Sequence, residues 1–154
     1  MRFLHTADWH LGRIFHGVHL TRDQAHVLNQ VVDLAREAKV DAVLVAGDVY
    51  DQARPAAEAM NLLGSVLSRL VLDLKIPTVV IAGNHDGPAH LEPFSRLTRE
   101  TGLHLAGDLE EGGPRKIVLH DRHGPVEIFA APYAEHALVR ERLGDETIRD
   151  HDGA

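Results

Sequence analysis

The chain predicts an α/β fold built on a βαβαβ unit with a parallel sheet, followed by a β-hairpin. Three observations predict it. Residues 42–46 and 77–82 are short runs of apolar and small residues, as expected of strands buried on both faces of a parallel sheet. Stretches with apolar residues at helical spacing separate and follow such runs. Beyond residue 115 the pattern changes to two apolar-containing runs around a polar turn, a hairpin signal.

The elements follow in order. Residues 2–7 form a first strand that runs into Asp8. Residues 21–38 carry Leu28, Val31, Val32, Ala35 and Ala38 on one helical face. After the strand at 42–46, Pro55 suits the first turn of the next helix, where its missing N–H costs nothing. That helix packs through Ala59, Leu62, Leu63, Val66, Leu67 and Leu70. The third strand, 77–82, is rich in β-branched residues. A shorter helix is expected around 91–100, with Gly102 as its C-cap, then a short strand at Leu103-His104-Leu105. Residues 116–120 and 126–130 flank a turn at Asp121-Arg122-His123-Gly124. A final helix is expected over about 135–143, and the polar tail 144–154 is expected to fray.

Composition narrows the function classes. With 154 residues, 44% hydrophobic and 25% charged, the chain fits one soluble globular domain. Cysteine is absent, which excludes disulfides and thiolate metal sites. The start is polar within two residues, unlike a signal peptide, and no apolar run is long enough to span a bilayer. A cytoplasmic location is the default expectation. The net charge of −7 argues against a broad nucleic-acid surface, unless bound cations cover part of the acidic charge. Of the twelve histidines, His26, His90, His120, His123 and His151 sit in polar surroundings and read as surface residues.

Three motifs carry chemistry: Asp8-Trp9-His10, Gly47-Asp48-Val49-Tyr50-Asp51 and Gly83-Asn84-His85-Asp86. Each follows an apolar run, and ligands of parallel sheets bind beyond the carboxyl ends of the strands. Gly47 and Gly83 let the backbone turn sharply and approach an ion. Carboxylate and amide oxygens with imidazole suit divalent cations. If residues 8–10 continue the strand, Asp8 and His10 point to one side and grip one metal. Asp48 is the natural bridging carboxylate, and Asn84 offers a carbonyl oxygen to a second ion. Two ions about 3.5–4 Å apart would activate water and stabilise phosphoryl charge. His85 would bind the phosphate or act as general acid, oriented by Asp51. Asp48 and Asp51 also suit helix caps, and Asn84 and Asp86 an ordinary turn; for Asp86 both readings stay open. His5 reads as a core histidine and Trp9 as packing beneath the site. Arg13 and His16 either contact a substrate phosphate or belong to a solvated loop.

With their neighbours Leu11, Gly12 and Ala82, these motifs resemble the N-terminal motifs of the calcineurin-like metallophosphoesterases. More narrowly, the run Thr6 to Arg13 with Phe15-His16-Gly17 and Gly87-Pro88 resembles the SbcD-type nuclease branch. The resemblance implies the N-terminal half of the family's two-sheet sandwich. It implies a DNA phosphodiesterase of repair and recombination with two divalent ions, most often Mn2+, though Mg2+, Fe and Zn2+ also suit the ligands. The implied partners are DNA and an SbcC-like, SMC-type ATPase. By position, Asp8 and His10 belong to one metal, Asp48 bridges, Asn84 belongs to the other, His85 is the catalytic histidine and Asp51 pairs with it. Two further family motifs, a lone histidine and a Gly-His-x-His segment, have no match after Asp86. Residues 1–143 are therefore expected to be a partial nuclease domain, with 144–154 a tail at a truncation point. Weak metal binding, little activity alone and an apolar sheet edge inviting homodimers are expected. The alternatives are a hydrolase of cyclic nucleotides, pyrophosphates or phosphoproteins, and a non-catalytic partial domain.

Overall fold

A computed structural model describes residues 1–91, 95–110 and 113–150. Strand β1 (Phe3–Thr6) leads to a small hairpin, β2 (Ile14–Phe15) and β3 (Val18–His19), and then to helix α1 (Thr21–Glu37). Strand β4 (Ala42–Ala46) precedes helix α2 (Ala57–Ser68), which runs on into a π-helical turn at Arg69–Asp73. After β5 (Thr78–Ile81) come the short helices α3 (Pro88–Leu91) and α4 (Ser95–Thr98), then β6 (Leu103–Ala106). The antiparallel pair β7 (Arg115–Asp121) and β8 (Gly124–Ala130) and helix α5 (His136–Leu143) complete the described elements.

The main sheet has the order β1-β4-β5-β6, and all three pairings are parallel. The apolar runs reflect burial on both faces. Val43, Val45 and Val80 point toward α1 and α2, where Leu28, Val32, Ala35, Leu63, Val66 and Leu70 complete the larger core. Ala42, Val79 and Ala106 point the other way, onto Ile117 and Leu119 of β7 and Ala130 of β8. Helices thus cover one face and the hairpin the other. Arg115, buried at the start of β7, ties the hairpin to the sheet by donating to the Leu105 carbonyl and, at 2.7 Å, to Glu110.

Several details differ from the sequence expectation. The β2–β3 hairpin escaped it, because strands of two residues carry no periodic signal. Its turn, His16-Gly17, has positive φ at both residues (47° and 79°), the conformation that joins strands through a two-residue loop. Pro55 lies one residue before the extended N-cap Ala56 rather than in the first helical turn. The helix expected over 91–100 is divided: α4 gives way to a 3-10 turn at Arg99–Thr101, and residues 92–94 lie outside the described residues. Gly102 does end that stretch, in the left-handed conformation. His5 is exposed, not core: with the exposed Phe3 it lies on the face of β1 opposite Leu4, which packs on the helix side. Beyond α5 the chain folds back, leaving Ile148 only 4% exposed, while residues 151–154, including His151, lie outside the described residues. His26, His90, His120 and His123 are exposed, as expected. Among the described residues no helix is long and apolar enough to cross a membrane.

Candidate metal centre

The three motifs leave the sheet at the carboxyl ends of β1, β4 and β5. The first does not continue its strand. Asp8 (φ 57°) and His10 (φ 45°) both adopt the left-handed conformation, as does Asp48 (φ 49°). Such residues are strained when not glycine, at a cost of order 1 kcal/mol or more each, and persist where their surroundings fix them. Here the fixing is done by a ladder that outlasts the strands. Asp8 N–H donates to Gly47 O (3.1 Å), His10 N–H to Asp48 O (2.9 Å) and Leu11 N–H to Val49 O (2.9 Å). Asp8 and His10 therefore reach the same cluster through matched backbone turns, not through strand alternation.

From α1, the Gln24 side chain closes the first loop. Its amide donates to the carbonyls of Trp9 (3.0 Å) and His10 (2.6 Å) and accepts from Gly12 N–H (3.1 Å). Sequence reading missed this residue, which has the spacing of an ordinary helical glutamine. Trp9 packs beneath the loop, buried, with its indole N–H on the Thr6 hydroxyl at 2.9 Å.

Asp8, His10 and Asp48 come together. His10 Nε2 lies 3.8 Å from Asp8 Oδ1 and 3.9 Å from Asp48 Oδ2, too long for hydrogen bonds. The three ligand atoms lie within 4.8 Å of one another, as do those of a second group, His10, Asp51 and His85. Carboxylates crowded around an imidazole repel one another without a cation, and this set of hard oxygens and nitrogen fits a divalent one. Asp48 Oδ1 accepts the His85 backbone N–H at 3.0 Å, and each carboxylate oxygen keeps a further lone pair. Asn84 stands exposed between Gly83 and His85.

The exposed His85 ring is fixed by Asp51, but through the backbone. Its Nδ1 lies 3.0 Å from the Asp51 carbonyl oxygen, which can only accept, so Nδ1 carries the proton. That bond raises the His85 pKa; desolvation opposes it, and the charges of Asp48, Asp51 and Asp86 reinforce it. The Asp51 carboxylate itself lies 3.4 Å from His10 Nδ1 and 3.4 Å from the Arg13 guanidinium. His10 and His85 meet edge to face, with centroids 4.9 Å apart. Arg13 is thus held at the rim of the cluster. His16 lies away on the hairpin turn, its ring against Phe15.

Asp86 is the second residue whose part was hidden. Its own N–H closes the expected turn onto Gly83 O at 3.3 Å, but its side chain is buried and accepts backbone N–H groups from Val49, Tyr50 and Gly83. The only clue in sequence was its place directly after the third motif's histidine.

A family model described as calcineurin-like phosphoesterase matches residues 1–122, which takes in all three motifs and ends within the β7–β8 hairpin. That family is metal-dependent, and the clustered carboxylates and imidazoles agree with it. The chain belongs to the calcineurin-like phosphoesterases.

Proposed function

We propose that this chain is the N-terminal, metal-holding part of an SbcD-type DNA phosphodiesterase that works with an SbcC-like ATPase. The observation that carries the phosphoesterase chemistry is the convergence of Asp8, His10 and Asp48 from the ends of two adjacent strands, β1 and β4. The narrower reading is supported by the context from Trp9 to Gly17, which forms a hairpin with an exposed Phe15 directly after the first motif.

In this reading Asp8, His10 and Asp48 hold one ion, and Asp48 and Asn84 the other. Bound ions, Mn2+ foremost, supply an activated water and neutralise charge on the phosphoryl oxygens. His85 presents Nε2 outward, because Nδ1 is committed to the Asp51 carbonyl. When the ring is protonated, that nitrogen is placed to donate to a phosphate oxygen or to the leaving oxygen. Arg13, about half exposed, reaches the substrate phosphate from the rim, and the His16 turn extends the contact along the strand.

The test compares labelled linear duplex DNA, bis-p-nitrophenyl phosphate and cyclic nucleotides, with the chain in large excess and Mn2+ present. The expected result is slow, Mn2+-dependent cleavage of the duplex that D48N and H85A abolish. Hydrolysis of cyclic nucleotides without duplex cleavage would replace the nuclease with another phosphoesterase. Absence of Mn2+ binding by calorimetry would leave a non-catalytic domain.

A further inference from the structure

We infer that Asp86 is a positioning residue that clamps the second and third motifs together and so sets the spacing between the groups that hold the ions. The inference rests on the metal-centre reading above. Asp86 is 5% exposed, beneath the open face of the cluster. Its Oδ2 accepts from Val49 N–H (3.1 Å) and Gly83 N–H (2.8 Å), and its Oδ1 from Tyr50 N–H (2.8 Å). Two of these donors belong to the second motif. In the opposite direction, Asp48 of the second motif accepts the N–H of His85 in the third. Each loop's aspartate therefore takes a backbone N–H of the other loop. Bonds of this kind, with an ionised acceptor, are roughly twice as strong as neutral ones.

Space explains why the clamp is needed. A Cβ at Gly83 would lie 2.2 Å from Asp48 Oδ1 and 2.4 Å from Asp48 N, and one at Gly47 would lie 3.0 Å from Gly83 Cα. Gly83 lies against both the backbone and the carboxylate of Asp48, and Gly47 against the backbone of Gly83, so only glycine fits at these two close approaches. The hydrogen bonds hold the loops at that approach. With both oxygens occupied by N–H groups and the residue buried, Asp86 acts through Asp48 and His85 rather than on the ion. Asparagine at this position keeps the shape but sets an amide donor against backbone donors.

Backbone amide exchange, followed by NMR on the metal-free chain, tests the clamp. In the wild type, the amides of Val49, Tyr50, Gly83 and His85 should open as one unit. In D86N, the His85 amide, which Asp86 does not touch, should lose protection with the other three, while sheet amides such as Val80 keep theirs. Mn2+ titration followed by EPR should show affinity about tenfold or more weaker in D86N, the usual scale for groups that orient metal ligands, with partial recovery in D86E. A His85 amide that stays protected in D86N, or unchanged Mn2+ affinity, overturns the inference. Should D86N fail to fold, unequal opening of the four wild-type amides overturns it and common opening supports it. A wild type that binds no Mn2+ removes the proposed function but leaves the exchange test standing.

Discussion

At the scale of single residues, the centre is held by groups whose ordinary chemistry is overruled by their surroundings. Tyr50 illustrates this. It is 4% exposed, its backbone N–H is bound by the Asp86 carboxylate, and its hydroxyl pKa is pushed from 10.0 up to about 12, first by burial and then by the Asp86 charge. A pKa raised on folding stabilises fully below the unfolded value and is lost as pH rises through the folded one. Thermal stability should therefore fall between about pH 10 and 12, the window set by that shift. In Y50F that part of the alkaline loss should vanish, whereas an unchanged alkaline slope would show that Tyr50 ionises freely in the fold. Asp8, His10 and Asp48, whose side chains the structure brings together, were legible from residue type and order alone. Asp86 and Gln24 were not, because both act on backbone N–H and C=O groups, which leave no mark in the sequence.

At the scale of elements, legibility followed length and periodicity. Strands β4 and β5 and helices α1 and α2 stood out, since each carries an unbroken apolar run or a helical stripe. The two-residue strands of the first hairpin did not, and neither did the conformation of residues 8–10. Strand alternation was the wrong reason for a correct pairing of Asp8 with His10, whose left-handed backbones are set by hydrogen bonds to Gly47 and Asp48. Gln24 links α1 to this loop with three bonds, two of them as donor. Gln24→Glu keeps the acceptor for Gly12 but removes both donors and points a charge at the Trp9 and His10 carbonyls. It should destabilise the chain by about 1–3 kcal/mol, the cost of leaving buried polar groups unmatched. Urea denaturation measures this, and a change under about 0.5 kcal/mol, the range of neutral surface substitutions, would place the loop's support elsewhere.

At the scale of the whole molecule, the sheet serves two tasks that pull against each other. Its two cores stabilise, while its carboxyl edge gathers Asp8, Asp48 and Asp51 in a chain whose net charge is already −7. A cation relieves that crowding, so binding should register as added stability through mass action. Among the described residues the two groups that could hold an ion, Asp8-His10-Asp48 and His10-Asp51-His85, share His10 and offer three side chains each, fewer than a hard divalent ion ordinarily takes, so affinity should be weak. When free Mn2+ equals Kd, linkage adds only about 0.4 kcal/mol. For a chain of this size that raises Tm by about 1 °C. A hundredfold excess over Kd would add about 2.7 kcal/mol, a rise of several degrees. Scanning calorimetry across a Mn2+ series therefore reads the affinity directly, with the rise beginning only at high Mn2+. Asp8→Asn removes one ligand and one charge from an exposed position. It should leave the metal-free Tm equal or slightly higher and flatten the Mn2+ response. A D8N chain that still gains stability from Mn2+ like the wild type would mean that Asp8 does not hold the ion and would favour the His10-Asp51-His85 group.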